Sequence, residues 1–395
     1  MREGWEHKKI KEVCSFIGDG DWIESKDQSD FGIRLIQTGN IGTGIYRDKA
    51  DKVKYISNIT FSQLSCTEIF EGDCLLSRLP EPIGRSCLLP KLNVRTITAV
   101  DCTILRFKEN ILPIFFIYYT QSNSYYNDIL SKTTGTTRKR ISRKNLEKIG
   151  IPVPPKSTQL SIVSELDKIN ELIRIKKEQL KDYDALAQSI FYEMFGDPVE
   201  NEKGWEVKKL GDVCEITSSK RVFANEYVDT GIPFYRSKEV IEKSKQQPIS
   251  VELYISESHY NSIKCNFGIP QIGDILITAV GTIGRIWVVD TNEPFYFKDG
   301  NLVWLRNIKD VHYEYFSKSL FYLIDEYKKV NANGAAYNAL TIAKLKQMYC
   351  PLPPLPLQQS FAHKIEQIEK QKAALQNTIT DLETLLASRM QYWFG

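Results

Sequence analysis

The chain carries the stretch Gly4-Trp5-Glu6-His7-Lys8-Lys9-Ile10 and carries it again as Gly204-Trp205-Glu206-Val207-Lys208-Lys209-Leu210. Further pairs keep nearly the same spacing: Val13-Cys14 with Val213-Cys214, Ile83-Gly84-Arg85 with Ile283-Gly284-Arg285, and Pro152-Val153-Pro154-Pro155 with Pro351-Leu352-Pro353-Pro354. A period of half the chain is too long for a solenoid and indicates a duplicated domain. Two similar modules in one chain predict an approximate two-fold axis, which suits a pseudo-symmetric partner such as DNA with two half-sites.

Composition indicates a globular protein with no strong overall electrostatic field. The 395 residues suffice for two or three domains, and each half is long enough to bury its own core. The apolar share is 42% and the charged share is 26%. Because 52 basic residues nearly balance 49 acidic ones, the net charge is only +3. A nucleic-acid surface must therefore arise from local segregation of charge.

Cysteine and histidine usage predicts a reduced protein without a metal site. The eight cysteines include no C-x-x-C pair, and the four histidines lack metal-ligand spacing. No secretory leader is recognisable at Met1-Arg2-Glu3, so we expect free thiols in a cytoplasmic protein. The longest apolar runs, such as residues 111–119, contain a proline or are too short to cross a bilayer, which predicts no membrane segment.

A coiled-coil seam follows the proline pair in each copy. Its apolar positions are Ile162, Leu166, Ile169, Ile173, Leu180, Tyr183, Ala187, Ile190 and Met194 in the first copy, and Phe361, Ile365, Ile368, Leu375, Ile379, Leu382, Leu386 and Trp393 in the second. A helix of about 37 residues is about 55 Å long, which exceeds what one small domain can cover. We therefore expect the two helices to pair as an antiparallel coiled coil.

These patterns predict an α+β protein with two similar globular domains separated by two long helices. Short β-rich runs, such as residues 35–37 and 302–305, alternate with helical stretches such as residues 311–327. The predicted organisation is a first globular domain at 1–150, a first helical region at 151–196, a second globular domain at 197–349 and a second helical region at 350–395. Pseudo-two-fold symmetry is expected to relate the two halves.

Several motifs resemble those of a known family. They are the opening Gly-Trp-x-x-Lys-Lys-Ile/Leu, the loop Thr134-Gly135-Thr136-Thr137 before Ile151-Pro152-Val153-Pro154-Pro155 and Gln159, and Asn333-Gly334-Ala335-Ala336 before Pro351-Leu352-Pro353-Pro354 and Gln358. In this order and in duplicate, they resemble the specificity subunit of Type I restriction-modification systems. The resemblance covers essentially the whole chain.

The resemblance implies a subunit without catalysis of its own. Each globular part would be a target recognition domain for one half-site of a bipartite double-stranded DNA target, and the coiled coil would set the spacer. Two methyltransferase subunits would dock on the chain and transfer a methyl group from S-adenosylmethionine to adenine, with motor-nuclease subunits as further possible partners. The sequence agrees, since it lacks Gly-x-x-x-x-Gly-Lys-Ser/Thr and the Asn/Asp-Pro-Pro-Tyr/Phe motif of amino-methyltransferases.

The densest basic run supplies the first candidates for DNA contact. Hydroxyl and cationic side chains follow one another at Thr136, Thr137, Arg138, Lys139 and Arg140, a combination that suits phosphate and guanine contacts. A solvated basic helix start is the alternative. The aligned second-copy loop is uncharged and offers Tyr337 and Asn338; Asn338 could make a bidentate contact to adenine.

Other candidates lie where strands are expected to end or where the copies diverge. They are Gln37 and Asn40, their aligned counterparts Arg236 and Lys238, Arg78, and the divergent loop residues Lys220 and Arg221. A turn-stabilising role is the alternative for the residues at the strand ends, above all for Asn40 beside Gly39, and simple loop drift is the alternative for Lys220 and Arg221. Arg85 and Arg285 occur in both copies, so we expect them to be structural or phosphate-bound rather than sequence-specifying.

Two other classes of function stay open on the residues alone. The near-neutral charge and the 20 tyrosines permit a DNA-independent coiled-coil adaptor whose globular heads bind proteins. An enzyme in its own right would need a catalytic constellation, and Glu206-Val207-Lys208 could form half of a nuclease motif but has no convincing upstream carboxylate. No catalytic residue is predicted.

Overall fold

A computed structural model describes residues 4–135, 139–331 and 339–395. The chain divides into two compact units. Unit 1 comprises residues 1–178 and 376–395, and unit 2 comprises residues 179–375. This grouping divides each long helix between the two units, and the four segment boundaries expected from the sequence remain predictions.

The strands of unit 1 are short. They are β1 (Glu6–Lys9), β2 (Cys14–Asp19), β3 (Gln28–Ser29), β4 (Ile33–Ile36), β5 (Lys54–Ile56), β6 (Glu68–Ile69), β7 (Cys74–Ser77), β8 (Ser86–Leu88), β9 (Thr96–Thr98), β10 (Cys102–Phe107) and β11 (Gly150–Val153). The helices that begin in unit 1 are α1 (Ile10–Val13), α2 (Asn58–Gln63), α3 (Pro113–Tyr119), α4 (Asn123–Ser131), α5 (Arg143–Leu146) and the long α6 (Lys156–Phe195).

Unit 2 has a closely similar succession of elements. Its strands are β12 (Glu206–Lys209), β13 (Glu215–Thr217), β14 (Tyr227–Val228), β15 (Ile232–Tyr235), β16 (Tyr254–Ile255), β17 (Ile275–Thr278), β18 (Ile286–Val288), β19 (Tyr296–Phe297), β20 (Leu302–Arg306) and β21 (Tyr349–Leu352). Its helices are α7 (Leu210–Val213), α8 (Ser237–Ser244), α9 (Glu257–Phe267), α10 (Tyr313–Val330), α11 (Ile342–Gln347) and the long α12 (Leu355–Phe394).

Each unit contains two sheets of matching order. Unit 1 has an antiparallel sheet β2-β10-β7-β8 and a mixed sheet β3-β5-β4-β9-β6. Unit 2 has β13-β20-β17-β18 and β14-β16-β15-β19. One parallel pair occurs in each mixed sheet, β4 with β9 and β15 with β19. The expected α+β class with two similar domains is thus confirmed, including the predicted strand at 302–305.

The two motifs that reveal the duplication pair with each other inside each unit. β1, from the opening motif, runs antiparallel to β11, from the proline motif, with Glu6 opposite Val153. β12 and β21 pair in the same way, with Glu206 opposite Leu352. Prolines are tolerated in these strands because a two-stranded ladder leaves one edge without hydrogen bonds to donate. The long helix follows directly, since the two prolines after each strand stop the ladder.

A buried glutamine in the first turn of each long helix attaches the helix to its globular part. Oε1 of Gln159 accepts from the N–H of Leu112 (2.9 Å), and Nε2 donates to the carbonyls of Asn110 (2.8 Å) and Pro154 (2.9 Å). Gln358 accepts from the N–H of His312 (2.8 Å) and donates to the carbonyl of Pro353 (2.7 Å). Both glutamines are fully buried. The conserved geometry in both units explains why this residue occurs in both copies of the motif.

The end of each long helix is buried beside the beginning of the other, which makes the pairing antiparallel. In unit 1, Glu165 near the start of α6 accepts from Arg389 and from Nε1 of Trp393 (2.9 Å) near the end of α12. In unit 2, Lys372 Nζ lies 2.8 Å from Asp184 Oδ1. The α6 seam residues Ile162, Leu166, Ile169 and Ile173 are buried as expected. Gly196, with φ +74°, ends α6 in the left-handed conformation that favours glycine.

The described residues contain eight cysteines without disulfides, and Cys265 alone among them is exposed. No group of metal-ligating side chains occurs within the described ranges. None of the helices in those ranges is long and apolar enough to span a bilayer.

The glutamine contacts lead to a stability prediction. Gln159→Ala would leave one buried N–H and two carbonyls without their partner, so we expect a loss of about 2–4 kcal/mol in the free energy of unfolding. The midpoint of thermal unfolding should fall, by about 2–4 °C per kcal/mol for domains of this size. Gln376→Ala, on the exposed surface of α12, is the matched control and should change the midpoint little. Equal midpoints for the two variants would contradict this role of Gln159.

Candidate nucleic-acid interface

The predicted DNA-contact residues of unit 1 that the structure describes gather at one edge of its sheets. β4 and β9 run parallel, with Ile36 opposite Thr98, so Gln37 and Ala99 leave their strands side by side. Four further strand ends reach the same edge. They are the carboxyl ends of β2 and β7 and the amino ends of β8 and β10, since Asp19 lies opposite Thr103, Ser77 opposite Cys102 and Leu76 opposite Ser86. We call this edge 1: Asp19, Gln37–Asn40, Arg78, Arg85, Ala99–Asp101 and Arg140.

Edge 1 is held together by Arg85. Its guanidinium donates to four carbonyl oxygens, at Ile41 (2.6 Å), Thr38 (2.7 Å), Leu79 (2.9 Å) and Pro82 (2.9 Å). Arg85 is buried, and this burial lowers the pKa of its guanidinium below the ordinary value. Two of the carbonyls belong to the turn that follows β4. Arg85 therefore positions this turn, in agreement with the structural role considered for it from the sequence.

Asn40 and Arg78 also take part in contacts within the edge. The Asn40 amide accepts from the N–H of Gln37 (3.0 Å) and donates to the carbonyl of Arg47 (3.0 Å), so both of its ends stabilise the turn. Arg78 is buried, donates to the carbonyl of Val100 and lies 3.6 Å from Asp19 Oδ1. Its burial lowers the pKa of the guanidinium, an effect that Asp19 opposes. Contact of these residues with DNA remains a prediction.

The accessible cations of edge 1 are on the segment before α5. Arg140 Nη2 lies 2.6 Å from Asp101 Oδ1, and its side chain is half-exposed. Lys139 is exposed and forms no ion pair with any residue that the structure describes. Ile141 donates its N–H to the carbonyl of Arg78 (3.3 Å), which attaches this segment to the edge. Thr136, Thr137 and Arg138 lie outside the described residues.

The corresponding edge of unit 2 collects the second group of predicted residues. Tyr235 lies opposite Phe297 in the parallel pair β15 and β19, so Arg236 and Lys298 leave the sheet together. The Lys220 N–H donates to the hydroxyl of Tyr296 in β19 (2.7 Å). We call this edge 2: Ser218–Arg221, Arg236–Lys238, Glu252, Ala279, Arg285 and Lys298–Asn301. Tyr337 and Asn338 lie outside the described residues, and Leu340 donates its N–H to the carbonyl of Ala279 (3.0 Å).

Three cations of edge 2, Arg221, Arg236 and Lys238, are paired with carboxylates. Arg221 Nε lies 2.7 Å from Asp299 Oδ2. Arg236 contacts both Glu239 and Glu252, each at 2.8 Å from Nη2, and Lys238 Nζ lies 2.6 Å from Glu252 Oε1. Lys220 is exposed and stands 5.1 Å from the ring centre of Phe267. The chemistry at this edge is therefore a network of alternating charges rather than a plain basic patch.

Arg285, the counterpart of Arg85, has a different environment. It precedes β18 as Arg85 precedes β8, but it is exposed, and its guanidinium hydrogen-bonds to none of the described residues. The reason is local, because α8 follows β15 where unit 1 has the turn Thr38–Asn40. The two carbonyls of this turn that Arg85 contacts, those of Thr38 and Ile41, thus have no counterpart in an equivalent turn of unit 2.

The carboxylates and one lysine of these edges were missed by the sequence analysis. They are Asp19 and Asp101 in edge 1, and Glu239, Glu252, Lys298 and Asp299 in edge 2. A signal existed for the last two, since the β-rich run Phe295-Tyr296-Phe297 is followed by Lys298-Asp299-Gly300. That run had not been assigned to a strand, and its parallel partner lies about sixty residues earlier in the chain.

The comparisons with known proteins agree on one family. Residues 2–182 and 202–384 match the family described as Type I restriction modification DNA specificity domain. A putative type I restriction enzyme specificity subunit of Haemophilus influenzae is 30% identical over 67% of this chain and 66% of its own length. A type I restriction enzyme specificity subunit of Methanocaldococcus jannaschii is 24% identical over 90% of this chain and 85% of its own.

Solved structures share the fold. A chain from work on complex assembly and conformational transition of the type I R-M system superposes with a TM-score of 0.66 at 21% identity, covering 100% of this chain and 98% of that one. The crystal structure of a Type-I restriction-modification system S subunit from M. genitalium gives a TM-score of 0.54 at 14% identity, covering 99% and 96%.

The contrast between the two arginines can be tested by a matched pair of variants. Arg85→Ala removes the hydrogen bonds of a buried guanidinium to four carbonyls, so we expect a loss of about 3 kcal/mol or more in the free energy of unfolding. Arg285→Ala should change it by less than about 0.5 kcal/mol, because its side chain is exposed. Thermal unfolding of both variants beside the unmodified chain would measure the difference. Similar losses for the two would mean that the carbonyl contacts of Arg85 do not stabilise the fold.

Proposed function

Because the chain belongs to the Type I restriction-modification DNA specificity family, we propose that edge 1 and edge 2 each recognise one half of a bipartite DNA target. The observation that carries this assignment is that the described members of both predicted groups lie at equivalent edges of the two units. Positive and hydrogen-bonding side chains on a rigid sheet edge suit the positioning contacts to phosphates and the specifying contacts to bases.

The two edges offer different side chains on the same backbone plan. The turn after β4 presents Gln37, whereas the equivalent place after β15 presents Arg236 and Lys238. An amide favours adenine and a guanidinium or ammonium favours guanine or phosphate. Different half-sites are the expected consequence, since the modules share their scaffold but not the groups at its edge.

The family assembles with methyltransferase and restriction subunits and binds DNA. For this chain we propose two methyltransferase subunits as partners, with S-adenosylmethionine bound to them and adenine as the methylated base. Restriction subunits would join the same assembly. The chain itself would supply target recognition and no catalytic step, in keeping with the lack of a nucleotide-binding or amino-methyltransferase motif in its sequence.

Base-modification sequencing tests the proposed function directly. DNA from cells that express this chain together with the methyltransferase subunit is compared with DNA from cells that express the methyltransferase alone. We expect methyladenine confined to one bipartite motif, and lost without this chain. If the two proteins co-purify and no modified motif appears, the proposal is wrong and a protein-binding adaptor becomes the better explanation.

Lys139, the neighbour of Arg140 in edge 1, gives a second test. Lys139→Ala should weaken binding of the complex to its own target and to other duplexes alike, because a phosphate contact carries no sequence information. The slope of log K against log salt concentration should become shallower by about 0.9. Lys91→Ala is the control, since Lys91 follows β8 at the opposite end of the same sheet. A change of the recognised motif in the Lys139 variant would show that this residue contacts a base.

A further inference from the structure

Glu252 is placed between two of the cations of edge 2. One carboxylate oxygen accepts from Arg236 Nη2 at 2.8 Å and the other from Lys238 Nζ at 2.6 Å. Glu252 lies in the segment before β16, and its side chain is 51% exposed. An exposed carboxylate in this position takes up donors that a DNA phosphate would otherwise accept.

Glu252 is not needed to hold Arg236 in place. Glu239, whose side chain is only 1% exposed, accepts from the backbone N–H of Arg236 at 2.7 Å and from its Nη2 at 2.8 Å. This second carboxylate comes from the first turn of α8, directly below the guanidinium. Because Glu239 already orients Arg236, we expect the exposed Glu252 to act on ligands that approach Arg236 and Lys238 from solvent.

Some N–H donors of Arg236 and Lys238 are not used in the contacts with Glu239 and Glu252. Arg236 uses Nε and Nη2 toward the two carboxylates, and the two N–H groups of Nη1 hydrogen-bond to no residue in the described ranges, so both can donate to a ligand. Lys238 uses one of its three donors on Glu252. Lys238 and Arg236 together lower the pKa of the Glu252 carboxyl, which therefore stays charged at neutral pH. A negative charge remains at this point of edge 2, facing any phosphate that comes near.

We propose that Glu252 is a specificity-determining residue that acts against non-specific DNA. This inference rests on the proposed function of edge 2. Binding without sequence recognition consists of phosphate contacts, and a phosphate that contacted Arg236 and Lys238 together would meet the Glu252 carboxylate that lies between them. In the complex with the correct half-site, the network stays intact, Glu239 holds the orientation of Arg236, and the Nη1 N–H groups of Arg236 contact the DNA. Glu252 therefore repels phosphate-only binding and has little effect on target binding.

The test compares Glu252→Gln with the unmodified chain, each in complex with its methyltransferase partner. The probes are a labelled duplex that contains the motif identified by methylation sequencing and a duplex of the same length with both half-sites scrambled. We expect affinity for the scrambled duplex to rise about tenfold, and its salt slope to steepen by up to about 1.8 for two gained phosphate contacts. Affinity for the target should rise much less, so the ratio of the two affinities falls.

Two further variants make the result specific. Glu257→Gln removes the same charge from unit 2 at a glutamate that forms no ion pair within the described residues, and it should leave the ratio unchanged. The double variant that carries Lys238→Met and Glu252→Gln should lose about half of the increase in salt slope that Glu252→Gln causes, because one of the two phosphate contacts is removed. Thermal unfolding of each variant checks that the fold is intact.

The outcomes separate this inference from the proposed function. If the unmodified complex does not prefer its motif, the proposed function fails. If it does prefer the motif and Glu252→Gln changes both affinities by the same factor, or neither, then the inference about Glu252 is wrong while the proposed function stands.

Discussion

The structure depends on the burial of an aromatic residue at the end of each long helix. Phe394, in the last turn of α12, packs within unit 1 against Phe115 and Tyr119, with ring centres 5.5 and 5.8 Å apart. Phe195 packs within unit 2 against Tyr315 at 4.5 Å. Such pairs contribute about 0.5–1.5 kcal/mol each beyond the area that they bury. Each globular part therefore includes the end of one long helix as well as the beginning of the other.

The buried glutamines complete this arrangement at the opposite ends of the helices. Gln159 and Gln358 bond to backbone groups of the segments before α3 and α10, so a helix start and a sheet are joined by the same side chain. With both a helix start and a helix end fixed inside each unit, the sheet has little freedom relative to its helices. The edge of that sheet, which we propose to recognise DNA, is then held by packing, as precise recognition requires.

The two edges share a scaffold but differ in their side-chain contacts, as the aligned residues Arg85 and Arg285 demonstrate. Arg85 is used inside the fold because the turn after β4 presents carbonyls to it, whereas Arg285 is exposed because a helix occupies the equivalent place. The balance of charges in the whole chain is repeated at both edges, because Arg140, Arg221 and Arg236 each form an ion pair with a carboxylate. If the edges bind DNA as we propose, such pairing limits the affinity that comes from charge alone, and target recognition depends more on the geometry of the remaining donors.

The duplication, the two long helices, their antiparallel pairing and the family were all evident from the amino-acid sequence, because repeated motifs and seam spacing are local patterns with a fixed period. The candidate residues were also found as separate groups, each at the end of an expected strand or in a loop. Their meeting at one edge of each unit, the clamp made by Arg85 and the pairing of Arg236 and Lys238 with Glu252 came only from the tertiary structure. The physical reason is that β9 and β19 are three and two residues long and pair in parallel with distant strands. Strands so short leave almost no periodicity in the sequence, and the contacts that they create join residues separated by dozens of positions.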